Sequence, residues 1–389
     1  MICKMKTKFR PGRLMLLMFF IVVANRSIAQ SADKSEGDNS VIMPRNDADT
    51  LGNNATAFMP PADPLKNAGI IYDEDNADNQ IKNGALKIAS KKYSKLYAAG
   101  KLDELMIENR FGEVKINTWN RSEFSVEVQV NIYADKQTDA QGFLNAINIS
   151  DSRREALVSF KTIIGDNGIN NGNVLWKGED KPRIKKIEIN YIVFMPVKNA
   201  LSIINNYGTT ILPDFEGKLM LNSLYSNLKA KRLINPLNYV KVNFGDVDIE
   251  GFSGTRLEVL HGSLDLNEGS NFSVSVSYGP ARIGKIYSSA TIDARFGKQF
   301  RIEDIDKNIK TLHVNAAYTS VQVGRITGVN ANCDVSTYYG TLNNSDPQIT
   351  LTSDKSPDNQ EKSYKGRLGK GDANRNIVIK TNFGRVNFD

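Results

Sequence analysis

Ten times along this chain an aliphatic residue is followed four positions later by an aromatic residue or His, usually with Gly next, and by a new aliphatic about three positions on. The copies centre on Phe111, Tyr207, Tyr225, Phe244, His261, Tyr278, Phe296, Tyr318, Tyr339 and Phe383. Four residues before them stand Ile107, Ile203, Leu221, Val240, Leu257, Val274, Ile292, Val314, Val335 and Ile379. An aliphatic demand that recurs at a fixed offset in every copy marks the stacking of one repeated structural unit. From Tyr207 to Tyr339 the centres are 18, 19, 17, 17, 18, 22 and 21 residues apart. At roughly 3.3 Å per extended residue such a unit traces a perimeter of about 60 Å, one coil of backbone. The expected fold is therefore all-β: a parallel β-solenoid (β-helix) with rungs of about 17–22 residues, preceded by an N-terminal section of alternating strands.

The parity of the repeat describes its corner. Apolar residues fall on even offsets up to the centre, as in Val240, Val242 and Phe244, and on odd offsets after it, as in Val247 and Ile249. Eight of the ten copies switch in this way; Tyr207 and Phe296 do not. One extra residue at a bend keeps apolar side chains inside on both flanks, and Gly can supply a positive φ or a close approach there. On this reading the Gly is the corner residue and the rings stack inside the coil with the aliphatics. The alternative is an antiparallel meander with each aromatic-Gly pair at a hairpin tip. The half-units are short enough for it, but favoured hairpin tips carry Asn-Gly or Asp-Gly and would expose an aromatic ring. Small or polar residues two before the centres (Asn109, Asn205, Ser223, Ala294, Ala316, Thr337, Thr381) are expected to point inward and ease the corner.

Residues 1–29 form an export address: Lys4, Lys6, Lys8, Arg10 and Arg13 precede an apolar run from Leu14 to Ala24, then Ser27-Ile28-Ala29. This is the pattern of a secretory signal peptide, and eleven apolar residues are too few for a bilayer span, which takes about 20. Cleavage after Ala29 is expected, with no membrane span left and no lipid-bearing cysteine at the processing site. Without this segment the chain holds 44 basic and 43 acidic residues, so the overall basic balance belongs to the export signal and offers no footprint for nucleic acid. Cys333 is then the sole cysteine, which leaves stability to the core; flanked by alternating Val335 and Thr337, it reads as a small buried apolar residue.

Residues 30–85 are rich in Asp, Asn, Ala, Gly and Pro and read as a flexible polar leader. Residues 86–200 form the N-terminal β section, with alternating stretches from Leu105, Phe124 to Tyr133, Ala156 to Ile164 and Ile184 to Val197. Thr138 to Ile147 is the helix candidate within it, weakened by Gly142. Residues 201–389 carry the repeats, with a polar insertion at 343–375 before a last strand, Asn376 to Thr381.

No catalytic, cofactor or metal site is expected. His261 replaces a repeat aromatic and His313 lies in a strand, neither within a nucleophile or metal motif. Asp73, Asp75 and Asp78 lack the Gly and the closing Glu of a calcium loop. Gly366, Gly369 and Gly371 lack nucleotide-loop spacing and read as a tight excursion into the last strand. Asp246, Asp248 and Glu250 alternate on one strand, with Asp265 placed on the next coil. Glycoside cleavage needs two carboxyl groups roughly 5 to 9.5 Å apart, but alternating acids also describe a solvated strand face.

Several phrases, in order, carry a resemblance: Asn109 to Trp119 (NRFGEVKINTW), Ile189 to Pro196 (INYIVFMP), Asn206-Tyr-Gly208, and Tyr364-Lys-Gly366 with Leu368 to Gly371. They are similar to those of a bacterial putative-adhesin family of exported β-repeat proteins of the Bacteroidetes envelope, over roughly residues 90–389. Ser226 and Thr319 replace its usual Gly and His261 its usual aromatic, where local distortion of the rungs is expected. The resemblance implies a β-helical envelope protein with an adhesive role and carries over no catalytic residues. The function expected is a non-enzymatic binding or scaffold module for an envelope or surface polymer or protein, in the periplasm, on the outer surface or secreted. The contrasting readings are a polysaccharide-active β-helix enzyme and a periplasmic sensor or partner of a membrane signalling protein.

Overall fold

A computed structural model describes residues 74–165, 183–355 and 360–389. The export segment, the leader up to residue 73 and Asp73 lie outside these residues. The end of the expected leader is a helix, α1 (Glu74–Lys82), whose Asp78 is paired with Lys186 at 2.7 Å. The N-terminal section follows as β1 (Lys87–Ala98), β2 (Glu104–Trp119), β3 (Glu123–Ala134), α2 (Gln137–Asn145), β4 (Ile147–Arg154), β5 (Leu157–Ile164) and β6 (Ile184–Pro196). The period-two pattern sets these strands: on β3, Phe124, Val126, Val128, Val130 and Ile132 are all buried. The helix α2 stands where it is expected and buries Ala140, Phe143 and Leu144.

The repeats supply β7 (Ala200–Leu212), β8 (Leu219–Leu233), β9 (Tyr239–Asn243), β10 (Val247–Leu260), β11 (Leu264–Ser277), β12 (Ala281–Ile286), β13 (Ser289–Arg295), β14 (Gln299–Ile305), β15 (Thr311–Ala317), β16 (Ser320–Arg325), β17 (Ala331–Tyr338) and β18 (Thr341–Asn344). The stretch expected as a polar insertion contains two further strands, β19 (Ile349–Lys355) and β20 (Glu361–Leu368), before β21 (Asn376–Asn382) and β22 (Arg385–Phe388).

From β2 through β16 the repeat strands pair in parallel and in register with the next repeat. Ile107 lies beside Ile203, Ile203 beside Leu221 and Leu221 beside Val240. Leu257, Val274, Ile292 and Val314 continue the row. These aliphatics are at most 1% exposed, each worth about 1.5–3 kcal/mol on burial, which is why the offset admits no polar residue.

Two features depart from a uniform parallel coil, and the sheet is mixed and open. Its ends are antiparallel: β6 with β3, β3 with β1, and β5 with β4 on one side, β17 with β20 and β20 with β19 on the other. The last strands also leave chain order, since β21 lies between β15 and β17, and β22 between β16 and β18.

Candidate functional site: a column of rings

All ten centres lie in the left-handed region, with φ between 49° and 63°. The expected assignment of the corner is thus reversed: the ring-bearing residue carries the positive φ, and the Gly after it serves close approach. A Cβ on Gly208 would sit 1.9 Å from the Gly112 carbonyl oxygen, and one on Gly262 the same distance from that of Gly245. The switching residue is the inserted one, so its ring leaves the interior. The ring of Phe111 is buried, those of Tyr207, Tyr225, Phe244 and His261 are half-buried, and the last five are 45–54% exposed.

The rings form one continuous stack. Nine successive pairs have centroids 4.6–5.4 Å apart and planes within 21° of parallel. That spacing is the inter-strand distance of a sheet, so the backbone ladder sets the ring ladder. The amides at the corners fix it. Phe244 N–H donates to the Leu260 carbonyl, His261 to Ser277, Tyr278 to Arg295, Phe296 to Ala317, Tyr318 to Asn382 and Phe383 to Tyr338, at 2.8–3.0 Å. The column closes on the β19–β20 side, where Tyr339 N–H reaches the Gln360 carbonyl.

The exceptions have physical reasons. Tyr207 does switch faces: three residues on stands Thr210, fully buried but polar, so apolar parity misses it. Phe296 is followed by one additional corner residue, Lys298, which moves the next inward residue, Phe300, to the fourth position. Ser226 and Thr319 do not break the column. Both are buried, Ser226 Oγ lies 3.4 Å from its donor Asn205 Nδ2, and Thr319 Oγ1 accepts from the Gly297 amide at 3.0 Å. Of the inward residues two before the centres, Asn109 donates to the Ile189 carbonyl at 2.9 Å and accepts from Thr162, while the hydroxyls of Ser223, Thr337 and Thr381 stay without a hydrogen bond.

Beside the column, side chains tie one corner to the next. Asn227 Oδ1 accepts the Asp246 amide at 2.8 Å, and Asp246 Oδ1 accepts the Ser263 amide and hydroxyl at 2.9 and 2.6 Å. These two donors hold the Asp246 carboxyl below its ordinary range. Asp248 and Asp265 are lateral neighbours on adjacent strands, and Asp265 is bound by Arg282, which also grips Glu303 at 2.8 Å. Glu250 lies with Lys115, Lys229 and Lys231 around a shallow depression. Asp246 is thus spent on Ser263 and Asp265 on Arg282, as structural contacts.

His261 is a ring of the column, 4.8 Å from Phe244 and 4.6 Å from Tyr278, and His313 lies exposed on β15. Cys333 is fully buried, and burial pushes its thiol up to about 12. Among the described residues no group of His, Cys, Asp and Glu is placed to hold a metal ion, and no helix is long and apolar enough to cross a membrane.

No family model and no curated protein matches the chain. Among similar solved structures are a putative adhesin from Bacteroides fragilis (10% identity, TM-score 0.28, covering 77% of this chain and 97% of that one) and a putative adhesin from Parabacteroides merdae (10%, 0.30, 77% and 96%). A third is a putative lipid binding protein from Parabacteroides distasonis (11%, 0.27, 77% and 97%).

Proposed function

We propose that this chain is a non-enzymatic, exported envelope protein whose coils stack as a β-solenoid and present the ring column as an attachment surface. The observation that carries this reading is the exposure of five consecutive stacked rings, Tyr278, Phe296, Tyr318, Phe383 and Tyr339, each held in a left-handed backbone. A non-Gly residue there costs roughly 1–2 kcal/mol, and a stacked ring pair returns about 0.5–1.5 kcal/mol. The column therefore nearly cancels as a stability device, and backbone strain kept at one surface is characteristic of functional sites. Export rests on the pattern of residues 1–29, and the adhesin-like role also on the resemblance of the sequence phrases. Repeated coils give a long, regular face suited to an extended partner. The test is binding of the exported chain to purified envelope fragments and to a glycan array. Saturable binding to either supports the reading; no binding to any envelope or host surface removes it.

A further inference from the structure

We propose that the exposed half of the ring column, from Tyr278 to Tyr339, docks on an anionic lipid surface; this deepens the attachment reading and rests on it. What the column offers is unusual for an aromatic site. From Tyr278 to Phe383 each ring has a neighbour stacked on both faces at 4.6–5.4 Å, so a sugar ring seeking an open aromatic face finds none along that part of the stripe. Ring edges and tyrosine hydroxyls are what remain. Those are the groups that sit well at the boundary of lipid headgroups and acyl chains, apolar below and polar above.

The size of the stripe supports a docking role. Tyr338, 39% exposed and edge-on to Tyr339, extends the five rings to six. Six rings near half exposure present on the order of 600 Å², at the top of what a monomeric protein leaves bare. The ladder holds them in a straight row of roughly 20 Å at the inter-strand spacing, so they meet a surface together.

Charge selects the surface. Arg295 directly precedes Phe296, Lys298 follows it by two, and Arg385 follows Phe383 by two; all three are exposed and make no ion pair among the described residues. The corner that departs from the regular count is the one that adds a lysine. Glu361, beside Tyr338 in register, is the acid at the far end. Cations flanking an apolar row complement lipid phosphates and acidic headgroups. They disfavour a second copy on the same stripe, which would set cation against cation.

Co-sedimentation of the exported chain with phosphatidylglycerol–phosphatidylcholine vesicles, against pure phosphatidylcholine, tests this. The expected result is preferential partitioning onto the anionic vesicles, weakened by salt. The variant Tyr278→Asn/Tyr318→Asn/Phe383→Asn, whose new residues accept a positive φ, should lose at least about tenfold in partitioning. Arg295→Gln/Lys298→Gln/Arg385→Gln should lose about a hundredfold on anionic vesicles alone. Equal partitioning of the ring variant and wild type, or no preference for the anionic vesicles, overturns the proposal. So does capture of an anionic polysaccharide such as polygalacturonate with vesicles left unbound, or a dimer in solution that the ring variant dissolves. Binding to lipid-stripped envelope fragments without vesicle binding sinks the lipid inference and leaves the attachment reading standing.

Discussion

Tyr318 stacks on Phe383, 4.8 Å away, and not on Tyr339, the centre of the next repeat along the chain. Phe383 in turn lies 5.2 Å from Tyr339, so the last repeat is inserted between two earlier ones. A chain ending at Arg375 therefore leaves β15 and β17 with facing unpaired edges, and each unpaired buried backbone group costs free energy. We expect amide exchange protection to collapse across β15–β20, with the earlier repeats kept, because each repeat rests mainly on its neighbours. Protection of β17 unchanged in the truncated chain would contradict the inserted order.

The left-handed corners make a prediction opposite to side-chain size. Tyr318 has φ 52°, a region that Asn enters readily and a β-branched residue does not. Tyr318→Val should be about 1–2 kcal/mol less stable than Tyr318→Asn. Denaturant melts of the pair measure the difference.

Backbone contact at the corner and packing within the rung give two separable losses. In Gly262→Ala a methyl group meets the Gly245 carbonyl oxygen at 1.9 Å, and because the neighbour is backbone the strands must part; a loss above about 2 kcal/mol is expected. Val276→Asp places an unpaired carboxylate in a site 2% exposed and should cost several kcal/mol. Either variant melting like wild type counts against the stacked core.

Acid should loosen the corner ties. Donation from Ser263 lowers the Asp246 carboxyl, and Arg282 lowers that of Glu303. Their folded values lie below the unfolded ones of about 3.9 and 4.3, so their contribution is fully present above those values. It is lost as pH falls through the lower folded ones. Stability measured from pH 6 to pH 2 should drop at the acid end, and Asp246→Asn should flatten part of that slope.

Cys333 offers a chemical check of the core. With its thiol raised to about 12 by burial, hardly any thiolate forms at neutral pH, and the thiolate is the reactive species. In the exported chain a disulfide reagent should leave Cys333 untouched until denaturant is added; rapid native labelling would mean the rung around Val335 opens.

The aliphatic row through Val274 and Ile292 was legible because full burial at one offset leaves no chemical freedom. The outward aim of the rings was less so. Parity showed one extra residue at the corners of Phe244 and Tyr278 but not which one: the Gly was read as the corner and the ring as inward, whereas the ring-bearing residue carries the positive φ and points away from the faces it separates. Thr210 was hidden because it is polar where parity counts apolar residues. The place of Phe383 was not legible, since its phrase resembles the others and a repeat carries no label for the neighbour it rests on. The antiparallel ends escaped for two reasons: alternation in β3 looks the same whichever way the partner runs, and β19 and β20 are polar enough to read as an insertion.

On the proposed function, the exposed rings serve attachment more than stability. The most direct measurement is the affinity of the Tyr278→Asn/Tyr318→Asn/Phe383→Asn chain for purified envelope fragments, with its melting temperature recorded on the same sample. Melting within a few degrees of wild type and binding reduced at least about tenfold are expected, since strain and stacking nearly cancel. A variant that binds as wild type does while melting far lower would show the column to be structural and would overturn the attachment role.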